Sequence, residues 1–460
     1  MKNEKKFRRN MKISTGFFII LFSILILYMG YSVIKNGTSW YATPYNPRIS
    51  NARNSIKGGT IYDRNGVKLA WTQDSKRQYN ESKEIRRACS HVVGDIYGKS
   101  IGIETTYAKQ LYGLESDLVT LLERFISGDY KGKNGKDVTL TIDAELSRYI
   151  YKEMKGKRGS VVVLNYKTGE IISSVSILTF DPVTVNKDDL EDTALVDRAT
   201  MGRYPPGSVM KIVTASKAVD MGIDMEYECT GEAVIGGQKV TCKHAHGKQD
   251  LAEAFTNSCN TYFAELSVKI GGNGLLSQAE RFKFNKTFKY SDFTLYRSNF
   301  EVSSEKGDIA WAGIGQYNDL VTPTHAALIA ATIANDGVMP ELKLVKKVGD
   351  TENMSWNLIS QDRIISPATA GRLKEMMKKV VEEGTGTSAK IPGFNVCGKT
   401  GTAEYTEGGE IKNQSWFVGF LDGEKPYAVA VILEGAGYGS SAAAPLAKKV
   451  LEYVILEASL

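Results

Sequence analysis

Ser208 and Lys211 stand three residues apart in the run Tyr204-Pro205-Pro206-Gly207-Ser208-Val209-Met210-Lys211. Two prolines and a glycine are costly inside a helix, so the run predicts a helix beginning near Ser208. On such a helix the two side chains share one face, with Cβ atoms about 5–6 Å apart. A serine hydroxyl is a poor nucleophile until a neighbouring base removes its proton. A lysine amine is such a base once burial or a nearby cation keeps it neutral. Backbone N–H groups left unpaired at the helix start would also face the oxyanion of a tetrahedral intermediate.

Alone, Ser-x-x-Lys says little. It recurs at Ser303–Lys306, in a polar run where nothing marks a helix start, and a helix cap followed by a surface lysine would look the same. Two further triplets change the weight. Ser258-Cys259-Asn260 follows the amphipathic stretch Leu251–Phe255 at a helix end or loop. Its serine can relay a proton, and its asparagine amide can hydrogen-bond a peptide-like substrate. Lys399-Thr400-Gly401-Thr402 continues a strand from Phe394. There Gly401 would let a substrate backbone approach, and the strand edge could pair with an extended peptide. Lys399 would offer a cation to a terminal carboxylate and lower the pKa of Lys211. Ser355-Trp356-Asn357 and Lys167-Thr168-Gly169 match the same short patterns. The first is what chance predicts, and the second reads as turn chemistry.

These residues need a frame. Ser160–Asn165 and Glu170–Ser176 are β-rich runs joined at Tyr166–Gly169. Phe394–Thr402, Trp416–Leu421 and Tyr427–Leu433 are three more strands, followed by a helix over about Ala442–Ile455. The middle, from Lys211 to about Thr385, is mostly helical in pattern, as in His325–Ala334. Strands at both ends with helices between predict an α+β domain, one antiparallel sheet packed by helices. Ahead of it, Gly59–Ala70 reads as a hairpin built on Arg-Asn-Gly, and Gly135–Ile142 as a strand leading to a helix start at Asp143. The expected organisation is a small mixed domain over 35–150 and the catalytic domain over 151–460.

The 460 residues carry a formal charge of +6, but residues 1–12 hold six basic residues against Glu4, which leaves +1 for the rest. The basic excess is a tail, so nucleic acid is not an expected partner. From Ile13 to Ile34 the chain runs 22 residues without a charge. That length spans about 33 Å as a helix, enough for a hydrocarbon core of roughly 30 Å. It is longer than a cleaved signal segment and ends in Tyr-Ser-Val-Ile-Lys, not in an Ala-x-Ala-like pattern, so an uncleaved anchor is expected. The basic tail should stay cytoplasmic, placing everything from Lys35 outside.

The three motifs in this order resemble those of class B penicillin-binding proteins, the monofunctional peptidoglycan transpeptidases of bacterial cell walls. The resemblance extends to Gly59–Ala70, to Arg198-Ala199 and Tyr204–Ser208 before the nucleophile, and to Gly313–Gln316 with Val321-Thr322-Pro323. It implies a membrane-proximal pedestal and a penicillin-binding transpeptidase domain, and a D,D-transpeptidase that releases D-Ala. Ser208 would be acylated by stem peptides and by β-lactams, with Lys211 as base. Ser258 and Asn260 would relay protons and clamp substrate, Lys399–Thr402 would dock it, and the N–H groups of Ser208 and Thr402 would form the oxyanion hole. A D,D-carboxypeptidase or a β-lactam sensor of the same fold are the alternatives, although twelve residues before Ile13 leave a sensor no output domain. The family commonly has Arg where Gly58 stands, which questions a pedestal ion pair and not catalysis. The pedestal is too short for a glycosyltransferase domain, so the resemblance implies a separate membrane polymerase of the SEDS type as partner.

Cys229-x12-Cys242-x-His244-x-His246 has the residue types of a zinc site. A Cys229–Cys242 disulfide, permitted outside the cytoplasm, and unlinked thiols are the other readings. The expectation is no cofactor and no metal. With four histidines, none local to Ser208, a Ser-His-Asp enzyme has few candidates.

Overall fold

The computed structural model describes residues 2–41, 57–74, 76–113, 135–185, 193–352, 362–407 and 409–457. The chain opens with α1 (Lys2–Tyr41), which takes in the basic tail as well as the apolar run. Within it Glu4–Ser32 is long and apolar enough to cross a membrane and is not buried against the rest of the chain. Phe17, Ile20, Phe22 and Leu27 are exposed, as side chains solvated by lipid would be.

The expected hairpin is present as β1 (Ile61–Tyr62) and β2 (Lys68–Gln73), followed by β3 (Lys76–Tyr79). Asp63 closes its turn by accepting from the N–H of Asn65 and of Val67, both at 2.8 Å, and from Ala144 N at 3.1 Å. One carboxylate thereby ties the turn to the helix α2 (Ala144–Glu153), whose N-cap is Asp143. β4 (Val138–Leu140) runs parallel to β1.

The catalytic half begins with β5 (Gly159–Asn165) and β6 (Ile171–Ile177). Next comes α3 (Lys211–Asp220), preceded by a single 3₁₀ turn over Gly207–Val209. The following stretch departs from the helical reading. It holds β7 (Tyr227–Cys229), β8 (Glu232–Ile235), β9 (Gln238–Thr241) and β10 (Gly247–Gln249). Gly236 and Gly237, at φ of 57° and 82°, make the two-residue turn of the β8–β9 hairpin, a conformation that selects glycine. Helices α4 (Leu251–Thr256), α5 (Asn260–Ile270) and α6 (Pro323–Ala334) follow. Short strands β11 (Val338–Met339), β12 (Val345–Val348), β13 (Thr351–Glu352) and β14 (Asp362–Arg363) precede α7 (Pro367–Glu382). The chain ends with β15 (Val396–Glu407), β16 (Glu410–Leu421), β17 (Tyr427–Leu433) and α8 (Ala443–Glu457).

The central sheet has the order β15-β16-β17-β5-β6, antiparallel throughout. Alternate residues of one strand enter different cores. Ala428, Ala430 and Ile432 of β17 pack with the fully buried α6, whereas Val429, Val431 and Leu433 pack with α8. Both faces are covered, which is why these strands read as continuous apolar runs. The first sheet has the order β13-β12-β4-β1-β2-β3, so it draws strands from both sides of residue 150. Asp292 helps to lock that junction by accepting from Tyr107 Oη (2.6 Å), Leu344 N (3.2 Å) and Val345 N (3.1 Å).

Candidate active site

Ser208 sits in the 3₁₀ turn, one turn ahead of α3, and is half-buried. Gly207, at φ 52°, permits the turn's close approach to β15, because a Cβ there would meet Thr402 O at 2.5 Å. The turn is braced from behind. Trp416 Nε1 donates to Pro205 O (3.0 Å), and Glu434 accepts from Tyr204 Oη (2.7 Å) and Arg198 Nε (3.0 Å). Ser208, Ser258, Asn260, Thr400, Gly401 and Thr402 line one cavity of about 300 Å³.

Lys211 and Lys399 are fully buried behind Ser258 of its wall. Lys211 Nζ donates to Ser258 O and Asn260 Oδ1, both at 2.7 Å, and reaches Ser258 Oγ at 3.4 Å. Lys399 Nζ donates to Ser258 Oγ at 2.8 Å and to Thr400 O at 3.2 Å. The two amines therefore meet at one hydroxyl. Burial brings Lys211 down to about 8, while the nearby Cys259 and Cys242 sulfurs act in the opposite direction. Burial, reinforced by Lys211, pushes Lys399 well below the ordinary lysine value. Among the described residues the Ser208 hydroxyl has no hydrogen-bond partner, and Lys211 reaches the Ser-x-Asn triplet instead.

Two features bear on the expected roles of Lys399 and Gly401. The Lys399 amine is buried and anchors Ser258. Gly401 matters to the protein's own packing, because a Cβ there would meet Pro206 O at 2.9 Å and Trp416 Cβ and Val209 Cγ2 at 3.0 Å. The missing side chain lets β15 close against the nucleophile turn, while Gly401 also lines the cavity.

Ser258 connects α4 to α5 with φ 56°, a left-handed conformation uncommon outside glycine. The asparagine beside it makes a second tie, Asn260 Nδ2 to Thr241 O at 2.8 Å. β15 is an edge strand of the central sheet. Thr400 Oγ1 pairs with Thr385 Oγ1 (2.7 Å), Gln316 Nε2 donates to Thr402 O (3.1 Å), and Gly439 N donates to Thr402 Oγ1 (3.2 Å). Thr385 and Trp311 of the cavity wall had no sequence signal, because neither lies in a motif. Gln316 had one, at the end of Gly313–Gln316.

Of the look-alike motifs, Lys167-Thr168-Gly169 forms the β5–β6 turn, with Asn165 Oδ1 accepting from Lys167 N (2.9 Å). At Ser303–Lys306 a helix does begin, over Lys306–Gly313, contrary to the sequence reading. Ser303 Oγ donates there to Asp308 Oδ2 (2.7 Å) and accepts from Glu305 N (3.0 Å), so the serine serves the local turn. Ser355-Trp356-Asn357 lies outside the described residues. The cysteines also gather differently from expectation: Cys229, Cys242 and His246 cluster with Cys259, the central residue of the Ser-x-Asn triplet.

The family model for the penicillin binding protein transpeptidase domain matches residues 159–452. The peptidoglycan D,D-transpeptidase PbpA of Mycolicibacterium smegmatis is 28% identical over 461 residues, covering 91% of this chain and 93% of that protein. The crystal structure of the D,D-transpeptidase domain of a peptidoglycan glycosyltransferase from Eggerthella lenta matches with TM-score 0.74 at 29% identity, over 88% of this chain and all of that one. Penicillin-binding protein A from M. tuberculosis, solved as a ceftriaxone acyl-enzyme complex, matches with TM-score 0.73 at 25% identity, over 88% and 99%. With the domain match covering well over half of its length, the chain belongs to the penicillin-binding protein transpeptidase family.

Proposed function

We propose that this peptidoglycan D,D-transpeptidase works through Ser208. The supporting observation is the meeting of two buried amines with Ser258 in the wall of the cavity that Ser208 lines. Ser208 Oγ attacks the carbonyl carbon between the two D-alanines of a stem peptide, and its proton passes to the neutral amine of Lys211. The oxyanion faces the backbone N–H groups of Ser208 and Thr402. As the tetrahedral intermediate collapses, the C–N bond breaks and Ser258 relays the proton to the departing D-Ala amine. Lys399 holds Ser258 in place, and the hydroxyls of Thr400 and Thr402 receive the terminal carboxylate. An amine of a second stem then attacks the ester, regenerating Ser208 and closing the cross-link. A β-lactam carbonyl enters the same steps and stops at the ester.

The apolar helix α1 anchors the enzyme with its basic end in the cytoplasm and its catalytic body outside. The division into anchor, pedestal (35–150) and transpeptidase domain (151–460) belongs to this reading, as does a SEDS-type polymerase partner supplying the glycan.

The test is acylation by a fluorescent penicillin. Wild type is expected to label covalently and Ser208→Ala to lose the label while keeping its thermal transition; labelling of Ser208→Ala would remove Ser208 as nucleophile. With stem peptides and an amine acceptor, cross-linked product should accompany D-Ala release. Release with hydrolysis alone would make the enzyme a carboxypeptidase.

A further inference from the structure

Beside the catalytic cavity, three sulfurs and a ring nitrogen lie within 4.8 Å of one another: those of Cys229, Cys242, Cys259 and His246. Cys229 ends β7, Cys242 follows β9, His246 precedes β10, and Cys259 lies between Ser258 and Asn260. The spacings are Cys229 Sγ to Cys242 Sγ 3.8 Å, Cys242 Sγ to Cys259 Sγ 3.8 Å, and Cys229 Sγ to His246 Nδ1 3.3 Å. Two thiolates each about 2.3 Å from a tetrahedral zinc ion lie about 3.8 Å apart, and a thiolate and an imidazole nitrogen about 3.6 Å apart. Three of the six edges thus fall within about 0.3 Å of those of a zinc tetrahedron, and the other three lie within 4.8 Å. A disulfide needs sulfurs about 2.05 Å apart and would use only two of three converging thiols. Thr261 Oγ1 touches all three sulfurs, at 3.2, 3.4 and 3.7 Å, as hydroxyls that orient metal thiolates do. His244, packed against His246 with ring centroids 4.5 Å apart, stays outside the group.

We propose that the chain holds a structural zinc ion on Cys229, Cys242, Cys259 and His246, and that this ion positions the Ser258–Asn260 turn for acylation. Three soft thiolates and an imidazole favour zinc over hard cations, and four protein ligands leave no open position for catalytic water. A bond to Cys259 fixes the backbone between Ser258, held at φ 56°, and Asn260. Those two residues supply both of the 2.7 Å acceptors that hold Lys211. The ion would thereby tie β7 and the β9–β10 loop to the turn that holds the catalytic lysine. The positioning role rests on Ser208 being the nucleophile; the metal content does not.

The test uses the full-length chain in detergent micelles, purified under reductant without chelator. Metal analysis is expected to find about one zinc per chain, as for a closed four-ligand site. His246→Ala and Cys229→Ser should drop to background, and His244→Ala should keep its zinc. Cobalt(II) put in zinc's place should give thiolate charge-transfer absorption and tetrahedral d–d bands, in wild type and Ser208→Ala alike, which needs no ligand variant to fold. Chelation should slow penicillin acylation roughly tenfold, reversed by zinc. Background zinc after reconstitution under reductant, or a Cys229–Cys242 disulfide in protein isolated from cells, overturns the site. Full zinc loss with unchanged acylation overturns the positioning role. Zinc retained in a wild type that never labels supports the site and removes Ser208 instead.

Discussion

Burial of Lys211 sets a pH window for acylation. An ordinary lysine titrates at 10.5, whereas this one is brought down to about 8. At pH 7 the neutral base is then about one molecule in eleven, against roughly one in three thousand for an exposed lysine, a gain of about 300-fold. The groups facing this amine are Lys399, across Ser258, and the sulfurs of Cys259 and Cys242. The base is the deprotonated form, so the rate must climb as pH rises. Below the midpoint it should climb about tenfold per pH unit and level off above about pH 9. The assay is the second-order rate of fluorescent-penicillin acylation from pH 6 to 10 at constant ionic strength. Lys211→Arg, which cannot deprotonate in this range, should lose about a thousandfold in rate and flatten the profile. A wild-type rate that is level between pH 6 and 8, or still climbing at pH 10, would refute the assignment of Lys211 as the base.

Gly401→Ala places a Cβ 2.9 Å from Pro206 O and 3.0 Å from Val209 Cγ2, so β15 and the nucleophile turn must move apart. A shift of a few tenths of an ångström should cost several-fold to about tenfold in acylation, read by the same label. Glu434→Ala leaves Arg198, whose side chain is 4% exposed, with Thr193 but no carboxylate, and should lower unfolding free energy by about 3 kcal/mol in denaturant titration. Asp292→Ala removes the acceptor shared by Tyr107 and the β12 approach; a loss of about 2 kcal/mol is expected, with little change in labelling rate per folded molecule. The sign for Lys211 also bears on stability. The unfolded chain keeps this proton up to 10.5 and the folded chain releases it near 8, so between those values the unfolded state binds more protons and stability should rise with pH.

Local chemistry was legible in the sequence because it depends on neighbours in the chain. The Pro-Pro-Gly run stops a helix before Ser208, alternating and continuous apolar runs set β5, β6, β16 and β17, and an uncharged stretch of 22 residues sets the apolar helix. The order of three triplets named the chemistry. What tertiary structure decided was who touches whom. Spacing placed Lys211 beside Ser208, yet its amine is held by residues 47 and 49 positions away, because a buried amine takes the acceptors the packed core provides. Lys399 became an anchor for Ser258 once the core closed over it. Gly401 packs β15 against the nucleophile turn, and β12 pairs with a strand some 200 residues earlier, since register between distant strands leaves no mark on either one. Cys259 looked like the neutral middle of a triplet, and only the folding of β7–β10 against α5 brought it to two cysteines and a histidine. Propensity and pattern act over a turn or a strand, but a site is made where segments far apart in the chain bury their polar groups against one another.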